Sequence, residues 1–419
     1  MSRTVLETKG HVSADVAVIG GGIIGLSIAL EAQRAGKSIS LIDPAPGTGA
    51  TFAAAGMLAP ISELHYQEED LLELTLASAA RWPQFAQMLV EEGYQDLGYR
   101  STPTLALGAD AADRVALQDM REAQSNQGLE VSALSIREAR RLESLLSPNI
   151  SAAHLVPGDH QVDPRAVAAA IEERIVQAAG RGGRSRGQTI VHKSAVEILH
   201  EDPEDPYSPT CGVMLDDGTS VAAREVVVAN GMGAPELGGL PEHLHLPLRE
   251  VYGDVLRLRV PERLLPLCTA TIRGMVRGLP VYVVPRDDGT VVIGASSRED
   301  GVSGVNAGSV HQLLRDAQVL LPAVAELELI ECTARARPGT PDNAPLLGRV
   351  AGPGGADLQG LLIATGFFRH GVLLAPIAAQ VVAGLLDGAQ QGSWDRFRPD
   401  RFSPAAPAPH QPPMQGENP

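Results

Sequence analysis

Asp15 to Asp43 reads DVAVIGGGIIGLSIALEAQRAGKSISLID, and the order of residue types in it decides the fold. Val16 to Ile19 is a β-branched run that ends in glycines. Ile23 to Ala35 has helical composition and stops at Gly36, and Ser38 to Ile42 is a second strand closed by Asp43-Pro44. Two parallel strands need a crossover, and a helix of this length supplies one, so the stretch is expected to form a βαβ unit. The turn from Gly20 to Gly25, GGGIIG, satisfies GxGxxG between the strand and the helix. Gly20 permits the tight turn, Gly22 lets backbone approach a pyrophosphate, and Gly25 allows close packing of helix on strand. The helix N-terminus turns its unpaired N–H groups toward phosphates. Asp43, at the end of the second strand, is placed to accept hydrogen bonds from a ribose diol.

Working outward, the chain has 419 residues, more than one compact core usually holds. A long helical region is expected from about 68 to 92, alternating short strands and charged helices from 104 to 145, and a helix opened by Asp163-Pro164 that runs to Ala179. Strand-like runs follow at 189–198, 226–229, 254–260, 281–284 and 291–293. The last two are separated by Arg286-Asp287-Asp288-Gly289, a hairpin signal, and HEDPEDPYSP from His200 to Pro209 reads as a surface connection. Leu361 to Leu386 returns to the strand–glycine turn–helix style of the first segment. The expected class is therefore α/β: a Rossmann-like dinucleotide domain with an inserted, largely antiparallel α+β domain. The expected division gives 1–14 to an N-terminal extension, 15–100, 150–245 and 335–400 to the nucleotide domain, and 101–149 and 246–334 to the insert. Residues 403–419, proline-rich and polar, are expected to be a disordered tail.

A formal charge of -16 repels a phosphate backbone and argues against nucleic acid as a partner. The basic stretch Arg181 to Arg186 (RGGRSR) is short and glycine-rich and reads as a solvated loop. Cys211, Cys268 and Cys332 lie far apart without CxxC spacing, so no disulfide framework or metal site is suggested, and a reducing cytoplasm fits. No secretory signal and no 18-residue apolar run is present, which argues against membrane insertion.

Four motifs together resemble the glycine oxidase and D-amino-acid oxidase-like family of FAD-dependent oxidoreductases: GGGIIG with Asp43, AAAGML (Ala53 to Leu58), RPGTPDNAPLLG (Arg337 to Gly348) and GFFRHGVLLAP (Gly366 to Pro376). The resemblance runs from about Asp15 to Phe397. It implies FAD as cofactor, with Ile23, Ile24, Asp43 and Pro44 at the adenosine and phosphates, and Ala50, Thr51, Ala55, Gly56 and Met57 at the pyrophosphate and flavin edge. Val196 is the match for a strand valine that meets adenine through its backbone. Gly366, Phe367, Phe368, Arg369, His370, Gly371, Val372 and Leu373 would wrap the isoalloxazine ring, their main-chain donors stabilising negative charge on the reduced ring.

By the same resemblance Arg337 is the main partner of a substrate carboxylate, Arg369 a second ligand, and Tyr282 in VYVVPR a phenolic donor. An arginine suits this task because a desolvated carboxylate is costly without a cation, and the planar fork fixes the orientation of Cα. Read singly, each arginine also fits a buried ion pair and Tyr282 a core position. The sequence departs from relatives at Pro280, at the turn Gly294-Ala295-Ser296-Ser297, and at Phe367 and His370, where more polar residues are frequent; these changes bear on substrate size. The implied reaction is oxidation of glycine, sarcosine or a small D-amino acid by hydride transfer to flavin, giving an α-keto acid, ammonia and, with molecular oxygen as acceptor, hydrogen peroxide. No catalytic residue beyond the flavin is expected. The thiazole branch of thiamine synthesis and a homotetramer are implied by resemblance alone. Two alternatives stay open at this level: a dehydrogenase that passes electrons to a quinone or acceptor protein, and a non-catalytic FAD-binding subunit of an amine dehydrogenase complex.

Overall fold

The computed structural model describes residues 12–91, 93, 96–182 and 189–406. Residues 1–11 of the expected extension, most of the basic stretch at 181–186, and 407–419 of the expected tail lie outside the described residues. Strand Val12–Ile19 already includes the last residues of that extension.

The nucleotide segment forms as its pattern requires. Val12–Ile19 and Ile39–Ile42 pair in parallel, and helix Ile23–Arg34 crosses between them. The eight-stranded sheet around them runs Leu346–Ala351, Asp357–Thr365, Ser220–Val228, Val12–Ile19, Ile39–Ile42, Ile190–Val191, with the hairpin Ala195–His200/Thr210–Leu215 attached to Ser220–Val228. Along that order every pairing is parallel except the first, Leu346–Ala351 with Asp357–Thr365. Such strands are covered on both faces and read as continuous apolar runs, as VVV at 226–228 does. Helices Ile23–Arg34 and Ala375–Leu386 pack together on one face and share a core with Trp82, Phe85 and Phe397.

The second sheet also has eight strands, in the order Glu328–Gly339, Arg249–Arg259, Thr290–Gly294, Leu279–Pro285, Thr271–Val276, Thr104–Gly108, Ala152–Val156, Ser132–Leu134. Every pairing is antiparallel except Thr271–Val276 with Thr104–Gly108. Its two faces differ, as a period of two demands. Leu256, Ile272, Val281, Val283 and Ile293 bury against Leu313, Ala317 and Leu320 of helix Ala307–Leu320, while Val255, Tyr282, Val284 and Val292 face Ala55 and Met57 of the first domain. Tyr282 is thus turned away from the helix-packed core.

Two expectations are corrected. The region 68–92 is two helices, Glu69–Ala79 and Trp82–Glu91, because Pro83 falls in a first turn where a missing N–H costs nothing. Strand Ala152–Val156, which the sequence division assigns to the nucleotide domain, pairs in the second sheet, since its partners Thr104–Gly108 and Ser132–Leu134 lie there.

Candidate active site

A cavity of about 690 Å³ runs from Asp43 at the carboxyl end of the parallel strands to Tyr282, Arg337 and Arg369 beneath the second sheet. This is where an open α/β sheet binds its ligands. Helix Ile23–Arg34 starts from Gly22 in extended geometry, without a side-chain cap and without an acid in its first turn. Among the described residues only Ile23 N–H of the first turn has a side-chain acceptor, Thr51 Oγ1 at 3.0 Å, so further donors remain for an anion. A Cβ on Gly22 would have Thr51 Oγ1, at 3.6 Å, as its sole neighbour within 4 Å, so the missing side chain keeps the cavity floor open. A Cβ on Gly25 would sit 1.9 Å from the Gly20 carbonyl oxygen; that glycine serves helix–strand packing and does not line the cavity. The Asp43 carboxylate accepts from Gly21 N–H at 2.6 Å and Ala45 N–H at 2.8 Å, and its remaining lone pairs are available to a diol. An uncapped helix terminus, a floor free of side chains and an acid at the strand end fit the dinucleotide part of FAD.

Gly20, Ala50, Thr51, Ala55, Gly56 and Met57 line the cavity as the motifs imply. Pro44 and Val196 do not. Val196 lies on the Ala195–His200 strand with 42% exposure, and its carbonyl accepts from Gly238 N–H at 3.0 Å. At that end the lining comes instead from Ala45, Gly47 and the run Ala229 to Gly233. In the turn after strand Asp357–Thr365, Gly366, Phe367, Phe368, Arg369, Gly371 and Val372 line the cavity, whereas His370 and Leu373 point into the protein. The Leu373 carbonyl accepts from Ser78 Oγ at 2.6 Å and Trp82 Nε1 at 2.9 Å, which pins the turn from behind. Phe368 holds φ of +46°, an uncommon value for an aromatic residue, and the guanidinium groups of Arg249 and Arg369 lie 5.2 and 5.5 Å from the centre of its ring.

Arg337 and Tyr282 both meet the cavity, and each is seated over a glycine of a neighbouring strand. A Cβ on Gly253 would lie 2.1 Å from Arg337 Nη2, and one on Gly294 would lie 2.3 Å from the Tyr282 hydroxyl. Arg337 donates to the Ser296 carbonyl at 3.3 Å and pairs with no carboxylate among the described residues. Burial pushes the Tyr282 phenol up to about 12, so it remains a neutral donor at ordinary pH. Arg369 lines the cavity too, but its charge is already met: Nη2 pairs with Glu68, and Nε lies 3.6 Å from Glu63 Oε2.

Sequence reasoning missed the groups that surround Arg369. Glu63 and Arg273 line the cavity, joined by an ion pair of 2.5 Å between Oε1 and Nη1. Burial works to raise the Glu63 carboxyl, but positive charge led by the Arg273 guanidinium overcomes it and holds the group down to about 2. Burial, followed by the charge of Arg369, pushes His370 down to about 4, so the imidazole beside Glu63 is neutral at neutral pH. The loop that carries Glu63 is fixed by buried Asp159, whose carboxylate accepts from Ile61 N–H and Ser62 N–H, each at 3.1 Å. Arg273 alternates with apolar Ile272 on its strand, and that period-two pattern was the only available signal for it.

The chain is similar to known proteins over most of its length. The family described as DAO, FAD dependent oxidoreductase, matches residues 15–385. The chain is 31% identical over 379 residues to a glycine oxidase of Geobacillus kaustophilus, covering 89% of this chain and 93% of that protein. It is 30% identical to the bifunctional protein ThiO/ThiG of Trichormus variabilis over 89% of this chain, spanning about half, 52%, of that longer protein. Among solved structures, glycine oxidase from Geobacillus kaustophilus superposes with a TM-score of 0.80 at 29% identity, over 93% of this chain and 99% of that one. Iminodiacetate oxidase from Chelativorans sp. BNC1 superposes with a TM-score of 0.78 at 26% identity, over 92% and 98%. Dinucleotide cradle, inserted sheet and family match converge on one assignment: the chain belongs to the DAO family of FAD-dependent oxidoreductases and is an FAD-dependent amine/amino-acid oxidase.

Proposed function

We propose that the chain oxidises glycine or another small amine that carries a carboxylate, such as sarcosine or a small D-amino acid, with molecular oxygen as the final acceptor. The products are then an α-keto acid (glyoxylate from glycine), ammonia or the corresponding amine, and hydrogen peroxide. The observation that carries this reading is the Arg337 guanidinium, which faces the cavity beside Gly253 without a carboxylate partner among the described residues. A half-buried cation with no carboxylate partner among the described residues calls for an anionic ligand, and its fork holds both oxygens of one carboxylate.

FAD would be held by Gly20, Gly22, Ile23 and Ile24, by Asp43 and Thr51, and by Gly366 to Arg369 of the turn at 366–372, and would supply a hydride acceptor for the substrate α-carbon. The residues of the chain do the rest by placement. Arg337 binds the carboxylate, Tyr282 donates its hydroxyl proton in a hydrogen bond to the same end of the substrate, and the apolar lining from Ala55, Met57 and Val255 excludes water. The amine must shed its own proton, so activity is expected to rise at alkaline pH. Kinship with ThiO/ThiG and glycine oxidase supports a role in the thiazole branch of thiamine synthesis.

Anaerobic titration of the flavoprotein with glycine, sarcosine and D-alanine tests the reading. Bleaching of the flavin band by at least one of them is expected, followed by peroxide release on admission of oxygen. Absence of bleaching across the panel would refute it.

A further inference from the structure

Four arginines line the cavity: Arg273, Arg335, Arg337 and Arg369. Their charges are disposed of differently. Arg335 is exposed and donates to the carbonyls of Thr48 and Ala334, beside the nucleotide loop. Arg369 is matched by Glu63 and Glu68. Arg273 stands directly opposite Tyr282 in the antiparallel pair, on the same face of the sheet, which puts a second guanidinium one cross-strand step from the phenol at the substrate end. Its side chain is 20% exposed, and its partner is Glu63.

We propose that Glu63 sets the charge of the substrate: by neutralising Arg273 it leaves Arg337 as the single carboxylate receptor and restricts the site to amines that carry one carboxylate. This rests on the reading of the site as an amino-acid oxidase. A substrate with a second carboxylate a few bonds from its nitrogen would reach toward Arg273 and meet Glu63 already there. Sharing one guanidinium between two desolvated carboxylates is costly, because like charges at that distance repel and neither is fully paired. Glu63 cannot readily step aside, since the backbone just before it is tied to Asp159 and its carboxylate also lies 3.6 Å from Arg369. The depressed pKa of Glu63 keeps the blocking charge in place over the whole working range of pH.

The test has a binding arm and a turnover arm on the FAD-loaded enzyme. Calorimetry should find that malonate binds wild-type enzyme no more than about threefold tighter than acetate. Steady-state kinetics should show that Glu63→Gln raises the ratio of kcat/KM for N-(carboxymethyl)glycine over glycine on the order of 10- to 100-fold, as a freed guanidinium pairs with the second carboxylate. The double variant Glu63→Gln/Arg273→Met should return the ratio to near the wild-type value. Malonate binding more than tenfold tighter than acetate, wild-type turnover of N-(carboxymethyl)glycine equal to that of glycine, or an unchanged ratio in Glu63→Gln would each overturn the proposal. If Glu63→Gln does not fold, the two wild-type measurements decide. If no amine reduces the flavin, the oxidase reading falls by itself, and the acetate–malonate comparison still reports on Glu63.

Discussion

Gly253→Ala separates the carboxylate anchor from the fold that carries it. The added Cβ would lie 2.1 Å from Arg337 Nη2, 2.4 Å from Cζ and 2.6 Å from Nη1, so the end of the guanidinium fork is what it strikes first. To regain ordinary contact at 3.4 Å from 2.1 Å, the guanidinium must retreat by about 1.3 Å. Gly253 is an interior residue of strand Arg249–Arg259 without positive φ, and alanine adopts that backbone freely. The far end of a long side chain yields easily, so stability should change by less than about 1 kcal/mol. The site is less forgiving. Hydrogen bonds to charged groups contribute about 1.5–3 kcal/mol, and a shift of this size breaks at least one arm of the bidentate pair. Substrate Kd should therefore rise about 10- to 100-fold. Anaerobic flavin titration with glycine reads the Kd, and thermal unfolding of the same sample reads the stability. An unchanged Kd with normal flavin content would show that the Arg337 fork does not hold the substrate.

Three further outcomes follow from the same geometry. Arg337→Ala should raise substrate Kd at least about 10- to 100-fold, and Arg337→Lys should recover part of that loss, since charge survives but the fork does not; equal affinities of wild type and Arg337→Ala in the titration would remove this residue from the site. Tyr282→Phe should weaken glycine binding several-fold yet leave the alkaline limb of the kcat/KM profile in place, because a phenol raised to about 12 does not titrate there; a limb that moves with the substitution would contradict this. Burial raises Asp159 from 3.8 to about 6, so the native state binds this proton more tightly than the unfolded chain, and the associated stability is present below pH 4 and lost as pH rises through about 6. Asp159→Asn abolishes that dependence, so the Tm of the variant relative to wild type should climb between pH 4 and 7; a difference that is flat or falls over that interval would refute the assignment.

The parts of the molecule that local chemistry specifies were readable from the chain. GGGIIG with Asp43 requires a strand, a turn and a helix in sequence, and all three are neighbours within one segment, so both the fold of Val12–Ile42 and the cradle for a dinucleotide could be inferred. Tyr282 could be placed on a strand but not on a face, since Val281 and Val283 beside it are equally compatible with either side. What chooses the face is helix Ala307–Leu320, which claims the valines. Val196 failed for the converse reason: its strand exists, but the edge hairpin that receives it stands clear of the cavity lining. Arg369 lines the cavity, but its environment was not legible, because Glu63 and Glu68 come from a loop more than 300 residues earlier in the chain. The Glu63–Arg273 pair was not legible either, joining residues 210 apart from two different domains. Neither belongs to a motif, and each alone reads as a solvated charge. A motif records which residues a cofactor needs, whereas the charge left over for a substrate depends on which side chains have already found one another across the domain boundary. In this enzyme that balance, rather than the number of arginines in its motifs, governs how many carboxylates a ligand should carry.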